Sequence, residues 1–219
     1  GGNIDKIYER LFRMQARRGD SVNQLTEMLW ARQESELMKA PGLAEMAEDT
    51  VAEGRSAVIF ANFTETLEVL KELIPGLPVI DGTTPPSQRA EIVKAFGEDR
   101  IRIVAANLAT AGEGLDGLQD LRGEFPRVAF ISPGFSAVQL KQALGRVHRA
   151  NARSKSVQRI VFAAGTVEEQ ACEAVRAKLA NMALLNDGDL AGGLVIDSGT
   201  PGREDRPEVP PPGARTPRR

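Results

Sequence analysis

The chain has 219 residues, 42% of them hydrophobic and 26% charged, with 28 lysines and arginines against 30 acids for a net charge of −2. Those proportions suit a globular protein with one sizeable core and little more, and no apolar window is long enough for a membrane-spanning helix. The single Cys172 excludes an intrachain disulfide and a cysteine-rich zinc site, so it reads as a small buried apolar residue in a reducing compartment.

The Gly1-Gly2 start resembles a tag scar or an excised fragment. Ile4, Ile7, Tyr8, Leu11 and Phe12 recur at helical spacing up to Gly19. Ser21 with Gln24 forms a capping box for a second helix carrying Leu25, Met28 and Leu29. Pro41 and Gly42 interrupt it, and a third, shorter helix through Leu43, Met46 and Val51 stops at Gly54. From Ser56 the pattern changes: short apolar runs at 57–61, 79–80, 101–106, 128–131 and 157–163 alternate with helical stretches at 65–73, 87–96, 137–147 and 167–185. The Val, Ile and Phe runs lack polar alternation, which predicts strands buried on both faces and an α/β fold with a mostly parallel sheet flanked by helices. Functional loops are then expected at the carboxyl ends of the strands. Residues 1–54 read as an N-terminal helical extension or linker and 55–190 as the α/β lobe. Residues 191–219 read as a disordered Pro/Arg-rich tail, with Pro201, Pro207, Pro210, Pro211, Pro212 and Pro217.

Charge is unevenly spread. Between Phe125 and Val167 there is no Asp or Glu, while Arg127, Lys141, Arg146, Arg149, Arg153, Lys155 and Arg159 give that segment +7. A basic stretch inside an acidic chain predicts a surface for phosphate or nucleic acid. It contains Gln142-Ala-Leu-Gly145-Arg146-Val-His148-Arg149, where arginines three apart would share a helix face. A guanidinium keeps its charge and offers a planar fork of donors, which suits the negative charge that spreads over a transferring phosphoryl group. The plain alternative is a solvated helix face. His148 is the only histidine, which excludes a histidine metal cluster.

Gly112-Glu-Gly114-Leu-Asp116-Gly117 matches the glycine fingerprint of a dinucleotide-binding turn. Its glycines begin several residues past the strand, and no acid stands about 20 residues on to hold a ribose, which speaks against a nicotinamide enzyme. The glycines still allow close backbone approach to a phosphate, with the Thr110 hydroxyl as a further donor. In Asp81-Gly82-Thr83-Thr84-Pro85-Pro86, a plain helix start with Thr84 as N-cap competes with a phosphate site made by the Gly82 and Thr83 amides and the Thr83 hydroxyl. The sequence has no Gly-x-x-x-x-Gly-Lys-Ser/Thr loop and no apolar strand ending in paired acids, so by itself it is not a complete ATPase.

Four segments taken in order carry a resemblance: Ala57-Val-Ile-Phe-Ala-Asn62-Phe63-Thr64, Ile80-Asp81-Gly82-Thr83, Thr110-Ala-Gly-Glu-Gly114-Leu-Asp116 and Gln142-Ala-Leu-Gly145-Arg146-Val-His148-Arg149. They resemble the fourth motif, the Asp-Gly-Thr/Ser element, the fifth motif and the sixth motif of the second RecA-like lobe of superfamily 2 helicases. Within that superfamily the likeness is to Swi/Snf-type DNA translocases, including the annealing-helicase branch. Gly165-Thr-Val-Glu-Glu169 is similar to the Gly-Thr-x-Glu-Glu element ahead of the family's last helix. The resemblance implies a RecA-like (P-loop NTPase-type) fold and a C-terminal motor lobe of a nucleic-acid-dependent ATPase. It implies arginine fingers at Arg146 and Arg149, ATP contacts at Gln142, Gly145, Gly114 and Asp116, and strand-phosphate contacts at Asn62, Phe63, Gly82, Thr83 and Thr110. Asp116 stands where Swi/Snf proteins commonly carry Asn.

The same resemblance implies that ATP with Mg2+ is bound mainly by an N-terminal RecA-like lobe, in cis or in trans, with no metal site on this lobe. The implied partner is nucleic acid, DNA ahead of RNA, and no membrane. The implied location is the cytoplasm of a bacterial or phage-infected cell, or the nucleus of a eukaryote. A stand-alone, non-catalytic module that docks on nucleic acid or on a partner motor is the alternative reading.

Overall fold

The computed structural model describes residues 9–10, 24–112, 115–134, 136–149, 151–185 and 194–197. Two helices come first, α1 (Gln24–Met38) and α2 (Ala40–Ala52), joined at Lys39. Pro41 lies in the first turn of α2, where a missing N–H is tolerated, so it opens this helix as well as ending the run before it. The chain then runs through β1 (Ser56–Ala61), α3 (Thr64–Leu73), β2 (Val79–Ile80), α4 (Pro86–Gly97), β3 (Ile103–Asn107) and a 3-10 turn (Leu108–Gly112). It continues through β4 (Arg127–Ile131), α5 (Ala137–Val147), β5 (Val157–Val161), α6 (Val167–Leu185) and β6 (Leu194–Asp197). The strand order is β2-β3-β1-β4-β5-β6, and every neighbouring pair is parallel.

Alternation along β1 divides the core in two. Val58 and Phe60 face a layer made by Val93 and Phe96 of α4, Leu140 and Ala143 of α5, and Cys172 and Val175 of α6. Ala57, Ile59 and Ala61 face Leu37 of α1, Leu43 and Ala47 of α2, and Leu67 and Leu70 of α3. Every residue of β1 and β4 is buried, as the unbroken apolar runs require of strands covered on both faces. The end of α1 and the whole of α2 therefore complete the same core as the sheet. Among the described residues no helix is long and apolar enough to cross a membrane.

Three expectations need correction. Leu194–Asp197, inside the segment read as an unfolded tail, forms β6 and pairs in parallel with β5. Three apolar residues, Leu194, Val195 and Ile196, are too short a run to register as periodicity, and pairing with an existing edge supplies the order. The helix carrying Met28 and Leu29 is present, but both side chains are exposed, and α1 turns Ser35, Glu36 and Leu37 inward instead. The +7 segment is not one surface. Arg127 is buried against Asp99 (Nη1–Oδ1 2.7 Å) and the Phe96 ring, and half-buried Arg159 lies over Phe130 in a small crevice with Asp49 and Glu53. Of the helix expected at 4–19 only residues 9–10 are described, and they are helical; Ser21 and the tail from Ser198 lie outside the described residues.

Candidate functional site

The predicted residues fall into two groups at opposite ends of the sheet. Helix α5 begins at the carboxyl edge, where the Ser136 hydroxyl accepts the Gln139 amide at 3.2 Å. Its last turn reaches the amino edge, since Gln158, the second residue of β5, donates Nε2 to the Leu144 carbonyl at 2.8 Å. The end of α4 is close to that edge too, because Arg127 at the start of β4 donates to the Phe96 carbonyl at 3.1 Å. The loop after the 3-10 turn is wedged against α4 by Gly117. At φ +116° only glycine is comfortable there, and a Cβ would stand 2.9 Å from Val93 Cγ1. Gly117→Ala should therefore lower stability by more than about 1 kcal/mol, read as a shift in the urea midpoint. An unshifted midpoint would mean that the loop is not pinned.

Pinning this loop fixes Asp116. Its Oδ1 accepts from Nη1 of Arg146 and from Nη2 of Arg149, so the two predicted arginines meet on one carboxylate oxygen. Asp116 is 68% exposed, Arg149 38% and Arg146 15%, which makes a shallow charged site with Arg146 half sunk in it. The arginines do not share a helix. α5 ends at Val147 and His148 is extended (φ −104°, ψ 111°), so Arg149 reaches Asp116 from the following loop. Gln142 and Gly145 are exposed on α5, with open space where a Gly145 side chain would stand. Gly114 lies outside the described residues. Two guanidinium forks converging on one oxygen can equally grip a phosphate oxygen.

The second group lies at the carboxyl edge, and most of its polar atoms are already engaged. Asn62 follows β1, with its amide donating to both oxygens of Glu36 (2.9 and 3.0 Å) and its side-chain Nδ2 donating to Glu36 Oε2 (2.7 Å) and the Pro133 carbonyl (3.1 Å). The Phe63 amide also donates to Glu36, at 3.0 Å. Thr110 is buried, and its hydroxyl donates inward to the Asn107 carbonyl at 2.7 Å. At β2 the Thr83 amide and hydroxyl donate to Asp81 Oδ1 (2.8 and 2.7 Å), and Gly82 and Thr83 are exposed. These bonds, the Thr83 hydroxyl first, hold the Asp81 carboxyl below its ordinary range against a smaller opposing effect of burial. Thr84 closes the same turn, its hydroxyl accepting the Asp81 amide at 3.0 Å, and Pro85 takes the N-cap position that the sequence assigns to Thr84.

A charged stripe that runs along α1 to Lys39 packs against this edge, and motif spacing misses it. Arg32, Glu36 and Lys39 follow one another by four and three residues and so share a face. Glu36 is fully buried. Lys39 donates Nζ to both oxygens of Glu168 (2.6 and 2.7 Å) and to the Val161 carbonyl (2.9 Å). Burial pushes the Lys39 ammonium down and the Glu168 carboxyl up, while their mutual attraction opposes both shifts. Glu168 belongs to the Gly165-Thr-Val-Glu-Glu169 element and also accepts the Ala163 amide at 2.9 Å. The available signal was a charged triplet at helical spacing, which on most helices marks a solvated face. Among the described residues no three His, Cys, Asp or Glu side chains stand together as a metal site would need.

Comparison with known proteins agrees with this architecture. The model of the family described as helicase conserved C-terminal domain matches residues 39–151. The chain is 32% identical over 189 residues to "Putative ATP-dependent RNA helicase L364" of Acanthamoeba polyphaga mimivirus, covering 86% of this chain and 35% of that protein. It is 29% identical over 154 residues to DNA repair protein RAD5A of Arabidopsis thaliana, covering 67% of this chain and 14% of that one. It thus spans about a third of the first relative's length and less of the second's. The crystal structure of the C-terminal part of the Fun30 ATPase domain superposes with a TM-score of 0.51 at 20% identity, over 64% of this chain and 44% of that one, and so shares the fold. The chain belongs to the helicase conserved C-terminal domain family.

Proposed function

We propose that this lobe serves an ATP-dependent translocase or helicase acting on nucleic acid, with DNA preferred, and that Arg146 and Arg149 are its arginine fingers. The observation that carries the reading is the convergence of both guanidiniums on Asp116 Oδ1, far from the carboxyl-edge residues. A site that holds a carboxylate oxygen between two forks suits an anionic phosphoryl group delivered by a first RecA-like lobe. There the arginines would stabilise charge that builds up during transfer, with Gln142 and Gly145 lining the approach. Magnesium belongs with the triphosphate on that first lobe in this reading, and its chemistry is to neutralise the phosphates.

The carboxyl edge would meet the phosphates of the tracking strand, without reading bases, so that opening and closing of the interlobe cleft moves the pair along the strand. The 1–219 chain alone should bind oligonucleotides in a salt-dependent, sequence-indifferent way and turn over ATP far more slowly than about 1 per second. A coupled ATPase assay together with anisotropy titrations over a range of salt tests both. Turnover by the purified chain, with contaminating ATPases excluded, would sink the assignment of the phosphate cradle to another lobe. Tight binding to one sequence would favour a docking module.

A further inference from the structure

Arg149 stands two residues past the end of α5, so the helix that aims Arg146 does not aim it. Its backbone is fixed by bonds within its own loop and to the loop after the 3-10 turn. The Arg149 carbonyl accepts the Ala152 amide at 3.0 Å, which closes a tight turn, and the Arg153 amide donates to the Asp120 carbonyl at 2.8 Å. Asp120 is buried, and its carboxylate Oδ1 accepts the Arg122 and Gly123 amides (3.1 and 2.7 Å), which folds the segment that presents that carbonyl. Beside it Gln119, only 6% exposed, uses both ends of its amide. Its Oε1 accepts the Gly117 amide at 3.2 Å, and its Nε2 donates to Asn151 Oδ1 at 3.4 Å. One side chain thus joins the residue after Asp116 to the residue two past Arg149.

We infer that Gln119 is a positioning residue for the arginine pair, holding the Asp116 loop and the Arg149 loop as one unit so that Arg149 meets its anion at a fixed place beside Arg146. This rests on the reading of Arg146 and Arg149 as arginine fingers. A buried amide is stable only with its donor and acceptor met, and a planar group engaged at both ends sets the separation of what it joins. The bond to Gly117 matters because that residue is wedged against Val93 of α4, so Gln119 refers the Arg149 loop to the packed core. A guanidinium that acts on charge only as the transition state forms must be in place beforehand, and a displacement of about 1 Å can cost on the order of 10²-fold in rate. Arg146 has a helix for that purpose, and Arg149 has this clamp.

The test uses the enzyme that joins this lobe to its ATP-binding partner lobe, with Gln119→Ala, Asn151→Leu and Asn151→Asp, each alone and combined with Arg149→Ala. Asn151→Leu removes the acceptor from an exposed position, so it reads the same bond if thermal unfolding shows that Gln119→Ala does not fold. Gln119→Ala and Asn151→Leu should each lower kcat by roughly 10- to 100-fold, with KM for ATP and nucleic-acid affinity held. Asn151→Asp keeps an acceptor for Nε2 and should keep most of kcat. In the Arg149→Ala background neither change should lower kcat further, since the residue being aimed is gone, whereas a fault of folding lowers it in both backgrounds. Wild-type kcat in either folded variant, or the same fall with and without Arg149, would overturn the role of Gln119 and leave the proposed function standing. An Arg149→Ala enzyme with near-normal kcat would remove both the finger reading and this inference.

Discussion

In an enzyme that joins this lobe to its ATP-binding partner lobe, Arg146→Ala and Arg149→Ala should each lower kcat by on the order of 10³-fold or more, with nucleic-acid affinity largely kept. The size follows from the role: a guanidinium that meets charge only as the transition state forms contributes to kcat and little to ground-state binding. Steady-state ATPase kinetics with saturating nucleic acid, alongside anisotropy measurements, separate the effects. Near-normal kcat with lost nucleic-acid binding would move both arginines to the track. Asp116→Asn sharpens the test, because Asp116 is the counter-anion of both arginines here. If it holds them until a phosphate displaces it, removing its charge should lower KM. If it binds the nucleotide itself, KM should rise.

The fold was legible in the sequence because its signals are local. Unbroken apolar runs such as 57–61 and 128–131 can only be strands covered on both faces, and the helical stretches between them force parallel crossovers. β6 was not legible, since a four-residue strand at a sheet edge owes its order to the neighbour it pairs with. Motif order points to Asp116, Arg146 and Arg149 as candidates, and the geometry brings them together although Arg149 lies beyond the helix expected to carry it. Spacing along a chain cannot show which donors are already used: Asn62 and Thr110 stand at the edge, but their hydrogen bonds turn inward. Nor could it single out Glu36 and Lys39, because a buried charge and a solvated one look alike until the partners 26 and 129 residues away are known.

That buried charge carries the largest stability effect expected of any single change. Lys39→Met should destabilise the lobe by about 3–5 kcal/mol, because it removes the ammonium that bonds both oxygens of the buried Glu168 carboxylate. For a domain of this size that is roughly 10 °C or more in Tm. The double change Lys39→Met with Glu168→Leu should recover most of the loss, since removing both charges leaves none to solvate. The single variant should also become pH-dependent. Burial already raises the Glu168 carboxyl, and loss of the ammonium removes the main influence that lowers it. A carboxyl whose folded pKa lies above its unfolded value of about 4.3 binds more protons in the folded state, so its penalty is absent below that value and grows as pH rises through the folded pKa. Urea unfolding at acidic and neutral pH should therefore show the gap between wild type and Lys39→Met narrowing as the solution is acidified. A gap independent of pH, with no recovery in the double variant, would mean that Lys39 acts by packing alone.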